Sequence, residues 1–156
     1  LSLHDALPIL KITTQQCISI LKFINAMGIK KDLIDGIKKI LGLKNDSDLL
    51  TRSIAEKLGD KKDDINEVAK FLMENEDIRN QRNRLSEEQQ GCLFEIVYLI
   101  IEGIPRAEDL FYKTIADIKG LDVEVVKCTD GAETVEFIKE IIQSETFMGF
   151  FKLTMK

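Results

Sequence analysis

The stretch that most constrains this chain runs from Ser86 to Gly103, SEEQQGCLFEIVYLIIEG, where Glu95 is the only charge between Cys92 and Ile101. A helix so apolar on nearly every side is expected in the middle of a bundle. It is too short, and Glu95 and Glu102 stand too close, for a membrane span, which needs about 20 apolar residues. Ser86 with Gln89 has the form of a capping box, and Gly103 is placed to end the helix in the left-handed region.

At the N-terminus, His4-Asp5-Ala6-Leu7-Pro8-Ile9 resembles the conceptual translation of a sequencing adapter. Leu1 in place of an initiator Met fits a reading frame that runs off an assembled, metagenomic-type fragment. Residues 1–9 are therefore expected to be non-native and are set aside. His4 is the sole histidine. Without it, Ser-His and Cys-His nucleophilic pairs and His-containing zinc sites are not available, and no enzyme activity, cofactor or metal is expected. The formal charge of −5 becomes −4 without Asp5, an acidic balance that does not favour nucleic acid.

The remaining residues suffice for one helical domain, 10–156, that buries about two-thirds of its chain surface. Cys17, Cys92 and Cys128 are odd in number and widely spaced, and they read as reduced, mostly buried thiols. Helical spacing marks a first helix from a Thr13 or Thr14 cap to Gly28, and a second through Leu33, Ile37 and Leu41 to Gly42. Gly36 weakens the second by about 1 kcal/mol relative to Ala. A third helix follows the caps at 45–48 and ends at Gly59, and a fourth begins near Asp64. The polar run from Asn75 to Arg84, with Arg79, Arg82 and Arg84, reads as a solvated helix extension or loop.

Beyond the apolar helix, Pro105 suits the first turn of another helix ending at Gly120. A short helix capped by Asp122 is expected next, then one opened by Asp130 with Glu133, and a last one capped by Ser144. That last segment carries Phe147, Met148, Phe150, Phe151, Leu153 and Met155 with little polar surface. The expected class is all-α, a single-domain bundle of about eight short helices. Phe147, Met148, Phe150 and Phe151 are the candidate partner-binding residues, as an adaptable Phe and Met surface.

The order of elements resembles the phage tail assembly chaperones of siphovirus, myovirus and prophage tail operons. Three places carry the resemblance: the apolar helix Phe94 to Ile101, the turn Glu102-Gly103-Ile104-Pro105-Arg106-Ala107-Glu108, and the run from Glu133 through Glu145 to Phe150-Phe151-Lys152. The opening Leu10 to Ile24 is also similar. The resemblance implies a non-enzymatic protein of the bacterial host cytoplasm. It would bind the apolar, helix-rich tape measure protein, with the tail tube protein as a secondary partner, and keep the former soluble until tube assembly.

Two alternatives follow from the residues themselves. Residues 48–73 match the spacing of a helix-turn-helix DNA-binding regulator, with small Ala55, turn Gly59 and a buried Ile65. Its second helix would carry six acids against three lysines between Asp60 and Glu76, a poor match to phosphate. An enzyme would have Glu95 as its candidate for a shifted carboxylate, although a buried Glu satisfied by Lys or Arg is the favoured reading of that residue.

Overall fold

The computed structural model describes residues 10–154; the adapter-like segment 1–9 and Met155 lie outside the described residues. All regular structure among the described residues is helical, in eight α-helices. These are α1 Thr14–Met27, α2 Lys30–Leu58, α3 Ile65–Glu74, α4 Glu76–Gly103, α5 Glu108–Lys119, α6 Val123–Lys127, α7 Gly131–Gln143 and α8 Glu145–Thr154, with 3-10 turns at Gly59–Lys61 and Ile104–Arg106. By contacts the chain divides into two compact units, Leu1–Ile34 with Val97–Lys156, and Asp35–Ile96.

Several expected signals act as read. Thr13 caps α1 in a full capping box with Gln16, and Gly28 closes the helix at φ 71°. Asp64 accepts from the amides of Asn66 and Glu67 to start α3. Ser144 works in both directions, donating to the Ile141 carbonyl at 2.6 Å and accepting from the Phe147 amide at 3.2 Å.

Other expectations are corrected. The second and third expected helices are one helix of 29 residues, with Gly42 and the cap-type residues 45–48 inside it. Nothing between Gly42 and Asp48 forbids helical dihedrals, and once a helix is nucleated each added residue adds a hydrogen bond. Likewise Ser86 opens no helix. α4 begins ten residues earlier at Glu76, with Glu76 and Asp77 in its first turn complementing the helix dipole, so the arginine cluster sits on a solvated helix extension. Two of the eight helices are therefore long. Gly103 is right-handed, at φ −81°, and leads into the 3-10 turn that holds Pro105. What requires a glycine there is space: a Cβ at Gly103 would lie 2.8 Å from Met27 Sδ.

In the first unit, α1 and α5 run antiparallel. Gln16 Nε2 donates to the Asp117 carbonyl at 3.4 Å, the Phe23 and Phe111 rings meet at 5.6 Å, and Arg106 Nε donates to the Met27 carbonyl at 2.8 Å. Met27, Leu33, Phe111, Ile115, Ile142 and Phe147 are among its buried side chains. In the second unit, α2 and α4 run antiparallel. Cys92 Sγ donates to the Gly36 carbonyl at 3.4 Å and Gln89 Nε2 to the Leu43 carbonyl at 3.2 Å. A Cβ on Gly36 would lie 2.9 Å from Ile96 Cγ1, so this glycine, besides its cost in helix propensity, permits the close approach of the two helices.

Candidate interaction surface

α8 is amphipathic in a way its composition hides. Phe147 and Phe151, one turn apart, are 5 % and 6 % exposed and pack in a tilted arrangement at 4.7 Å between centroids. Met148 and Phe150 are half-buried, and Leu153 is 73 % exposed. Phe150 lies beside Ile12, Cys17 and Leu21 in a shallow apolar crevice. Of the four expected partner-binding residues, two are thus core and two form a margin that continues to Leu153. The i, i+4 spacing of the two buried phenylalanines carried that distinction in the sequence.

α3 is the surface that the sequence reading missed. Its ten residues include Ile65, Val68, Ala69, Phe71, Leu72 and Met73, yet none of its side chains is buried. Val68, Phe71 and Leu72 are half-buried. Ile65, Ala69 and Met73, at successive turns, form a second ridge, with Ile65 84 % and Met73 76 % exposed. The missed signal was present in the pattern: apolar residues at six of ten positions make a stripe wider than one neighbouring helix can cover.

This placement bears on the helix-turn-helix alternative. That motif buries the residue at Ile65 between its helices, and here Ile65 is among the most exposed apolar residues described. Glu95 also changes standing, because it is exposed and not buried on α4. The helix expected to be covered all round has a solvent face: Phe94, Tyr98 and Ile101 are 69 %, 53 % and 37 % exposed, whereas Cys92, Ile96, Val97 and Ile100 are buried.

The thiols divide three ways. Cys92 is buried, and burial pushes its thiol up, with Glu95 adding to the rise and Lys39 opposing it. Cys17 is half-buried and is raised by burial alone. Cys128 is exposed, contrary to the expectation of burial.

Two further concave features lie one in each unit. A cavity of about 40 Å³ lies within the first unit among Ile20, Phe23, Met27, Phe111, Ile142 and Phe147. It is apolar and far below the roughly 300 Å³ of a small-molecule site, so it is a packing gap. An open cleft of about 330 Å³ in the second unit is lined by Asp77, Asn80, Gln81 and Arg84, whose opposite charges give no net attraction for an anion. Among the described residues no cluster of side chains could hold a metal ion, and no helix is long and apolar enough to cross a membrane. The chain matches no protein-family model, no curated protein and no solved structure.

Proposed function

We propose that this protein is a non-enzymatic chaperone that binds an apolar helical partner, and that the partner is a phage tape measure protein. The observation that carries the reading is α3, an amphipathic helix whose Ile65, Ala69 and Met73 ridge stands in solvent. A partner helix that covered Ile65 and Met73 would gain about 2 kcal/mol from each. Methionine adapts its shape to irregular neighbours, which suits a partner with many similar apolar segments. Met148, Phe150 and Leu153 offer a second apolar margin in the other unit.

The narrower identity rests on the resemblance of the helix order and the phenylalanine-rich end to tail assembly chaperones. Co-expression with successive segments of tape measure proteins tests it. The expected result is that a segment insoluble alone stays soluble and co-purifies. The double substitution Ile65→Glu/Met73→Glu is expected to lose the complex with helical content unchanged. Absence of a complex with every segment, from a well-folded chain, would overturn the reading.

A further inference from the structure

The crevice between α1 and α8 lies wholly within the first unit, and its borders bear on the charge of what it can take. Cys17 and Leu21 of α1 and Phe150 of α8 line it and are half-buried, so its floor is recessed. Ile18 and Leu153 are 48 % and 73 % exposed and form its margins. On α1 the helical period sets the order: Leu21 at the crevice, Ile18 farther out, and Lys22, one turn after Ile18, farther still. Thr14 and Asn25, the other outward side chains of that flank, are uncharged. On α8 Leu153 follows Phe150 by three residues, on the same flank.

The α1 edge is positive in a chain whose formal charge is −5. Residues 10–31 hold Lys11, Lys22, Lys30 and Lys31 and neither Asp nor Glu. Lys11 precedes Ile12, which lines the crevice, and Lys22 borders Ile18. Both lysines are exposed, and neither is among the ion-paired bases of the described residues, which are Lys61, Arg84, Lys127 and Lys139. On α8 the face beyond Leu153 carries Glu145 in the first turn and Lys152 in the last, which balance. We propose that this crevice docks an amphipathic helix whose edge along α1 is lined with Asp or Glu. A recessed floor between exposed margins fits a ridge of side chains and not a flat bilayer. The α3 helix of a second copy is a poor occupant, because the edge beside its exposed ridge reads Asn66, Lys70 and Glu74, with no net negative charge to meet Lys11 and Lys22.

This preference rests on the reading of the α8 margin as a partner-binding surface, and not on α3 or on which protein supplies the helix. The test uses the full chain and two fluorescent helical peptides about three heptads long, with one Leu/Ile seam and either Glu or Lys along the edge. The Glu-edged peptide is expected to bind about fivefold more tightly at low salt, and the gap is expected to close near 0.5 M salt. Lys11→Glu/Lys22→Glu, both at exposed positions, is expected to reverse the preference. Leu153→Ser is expected to weaken both peptides, and Ile65→Glu/Met73→Glu is expected to leave the preference intact. Equal affinities, no binding of either peptide, or a preference that survives the lysine reversal would overturn the proposal. So would a preference lost in Ile65→Glu/Met73→Glu, which would move the site to α3. Self-association that Leu153→Ser abolishes would overturn it in favour of a second copy, and tighter binding to phosphatidylserine vesicles than to the Glu-edged peptide would do so in favour of a membrane. Peptide selectivity without tape measure solubilisation would leave the proposed crevice standing and sink the chaperone reading, and the converse would do the opposite.

Discussion

α7 in the first unit and α3 in the second are helices of the same kind with different fates. Both open at an aspartate whose side chain accepts backbone amides, and both are amphipathic. α7 buries Ile138, Ile141 and Ile142, whereas α3 has no fully buried side chain and only half-buries Val68, Phe71 and Leu72. The difference extends to the units that hold them. Among the described residues the second unit, Asp35–Ile96, has only five buried apolar side chains, Ile37, Ile54, Leu85, Cys92 and Ile96; the rest belong to the first. Amphipathicity thus says which face can be covered, and the number of neighbouring helices decides whether it is. Where cover is thin, apolar surface is left for a partner at some cost in local stability.

Core truncation gives the largest expected contrast. Phe111→Ala removes a 4 % exposed ring that packs on Phe23 and is expected to cost about 3–5 kcal/mol. Leu72→Ala on half-buried α3 is expected to cost less than about 1 kcal/mol. Chemical denaturation followed by circular dichroism measures both. Comparable losses would show that α3 is as well anchored as the first unit, and the contrast would fail.

A matched pair of glycines sharpens it. Gly103→Ala drives a methyl to within 2.8–3.2 Å of Met27 Sδ, Cβ and Cγ, and Met27 is only 1 % exposed, with little room to yield. A net cost of about 1–3 kcal/mol is expected. Gly36→Ala meets chiefly Ile96 Cγ1 at 2.9 Å, in the sparser unit. There the clash is offset by about 1 kcal/mol of regained helix propensity, so the net change is expected to stay below that of Gly103→Ala. The reverse order would mean that the α2–α4 contact is the more rigid of the two.

The parts of the fold that were legible in the sequence are those fixed by local chemistry. Thr13 with Gln16, Gly28, Asp64, Asp130 and Ser144 each solve a helix-end problem within a few residues, and each acts at its expected place. The length of α2 and α4 was less legible, because Gly42, the residues 45–48 and Ser86 have capping chemistry that a continuing helix can leave unused. Burial was legible only in part. The i, i+4 pair Phe147 and Phe151 is core, but the same rule applied to Cys92–Ile101 could not say that Phe94, Tyr98 and Ile101 would stay exposed. That depends on how many neighbours the rest of the chain supplies.

Thiol labelling tests whether sparse burial in the second unit also means frequent opening. Cys128 is expected to react fastest with a neutral maleimide, Cys17 next and Cys92 slowest, since the burial that raises a thiol keeps it from becoming a thiolate. Mass spectrometry of timed samples gives the order. If Cys92 labels as fast as Cys17, the α2–α4 contact around Gly36 opens readily and the whole second unit is loose, not α3 alone.

The smallest expected effect on stability is at the proposed partner face itself. Ile65→Ser and Met73→Ser remove side chains that are 84 % and 76 % exposed, so they forfeit little buried area and create no cavity. Each is expected to change the unfolding free energy by no more than about 0.5 kcal/mol, the range of ordinary surface changes. Hydrophobic residues that are costless to the fold yet needed for partner capture separate binding from folding. A loss above about 2 kcal/mol at either position would instead place that side chain in a core, since only removal of buried area or of a packed neighbour is that costly. The contrast between α7 and α3 would then disappear together with the surface on which the proposed function rests.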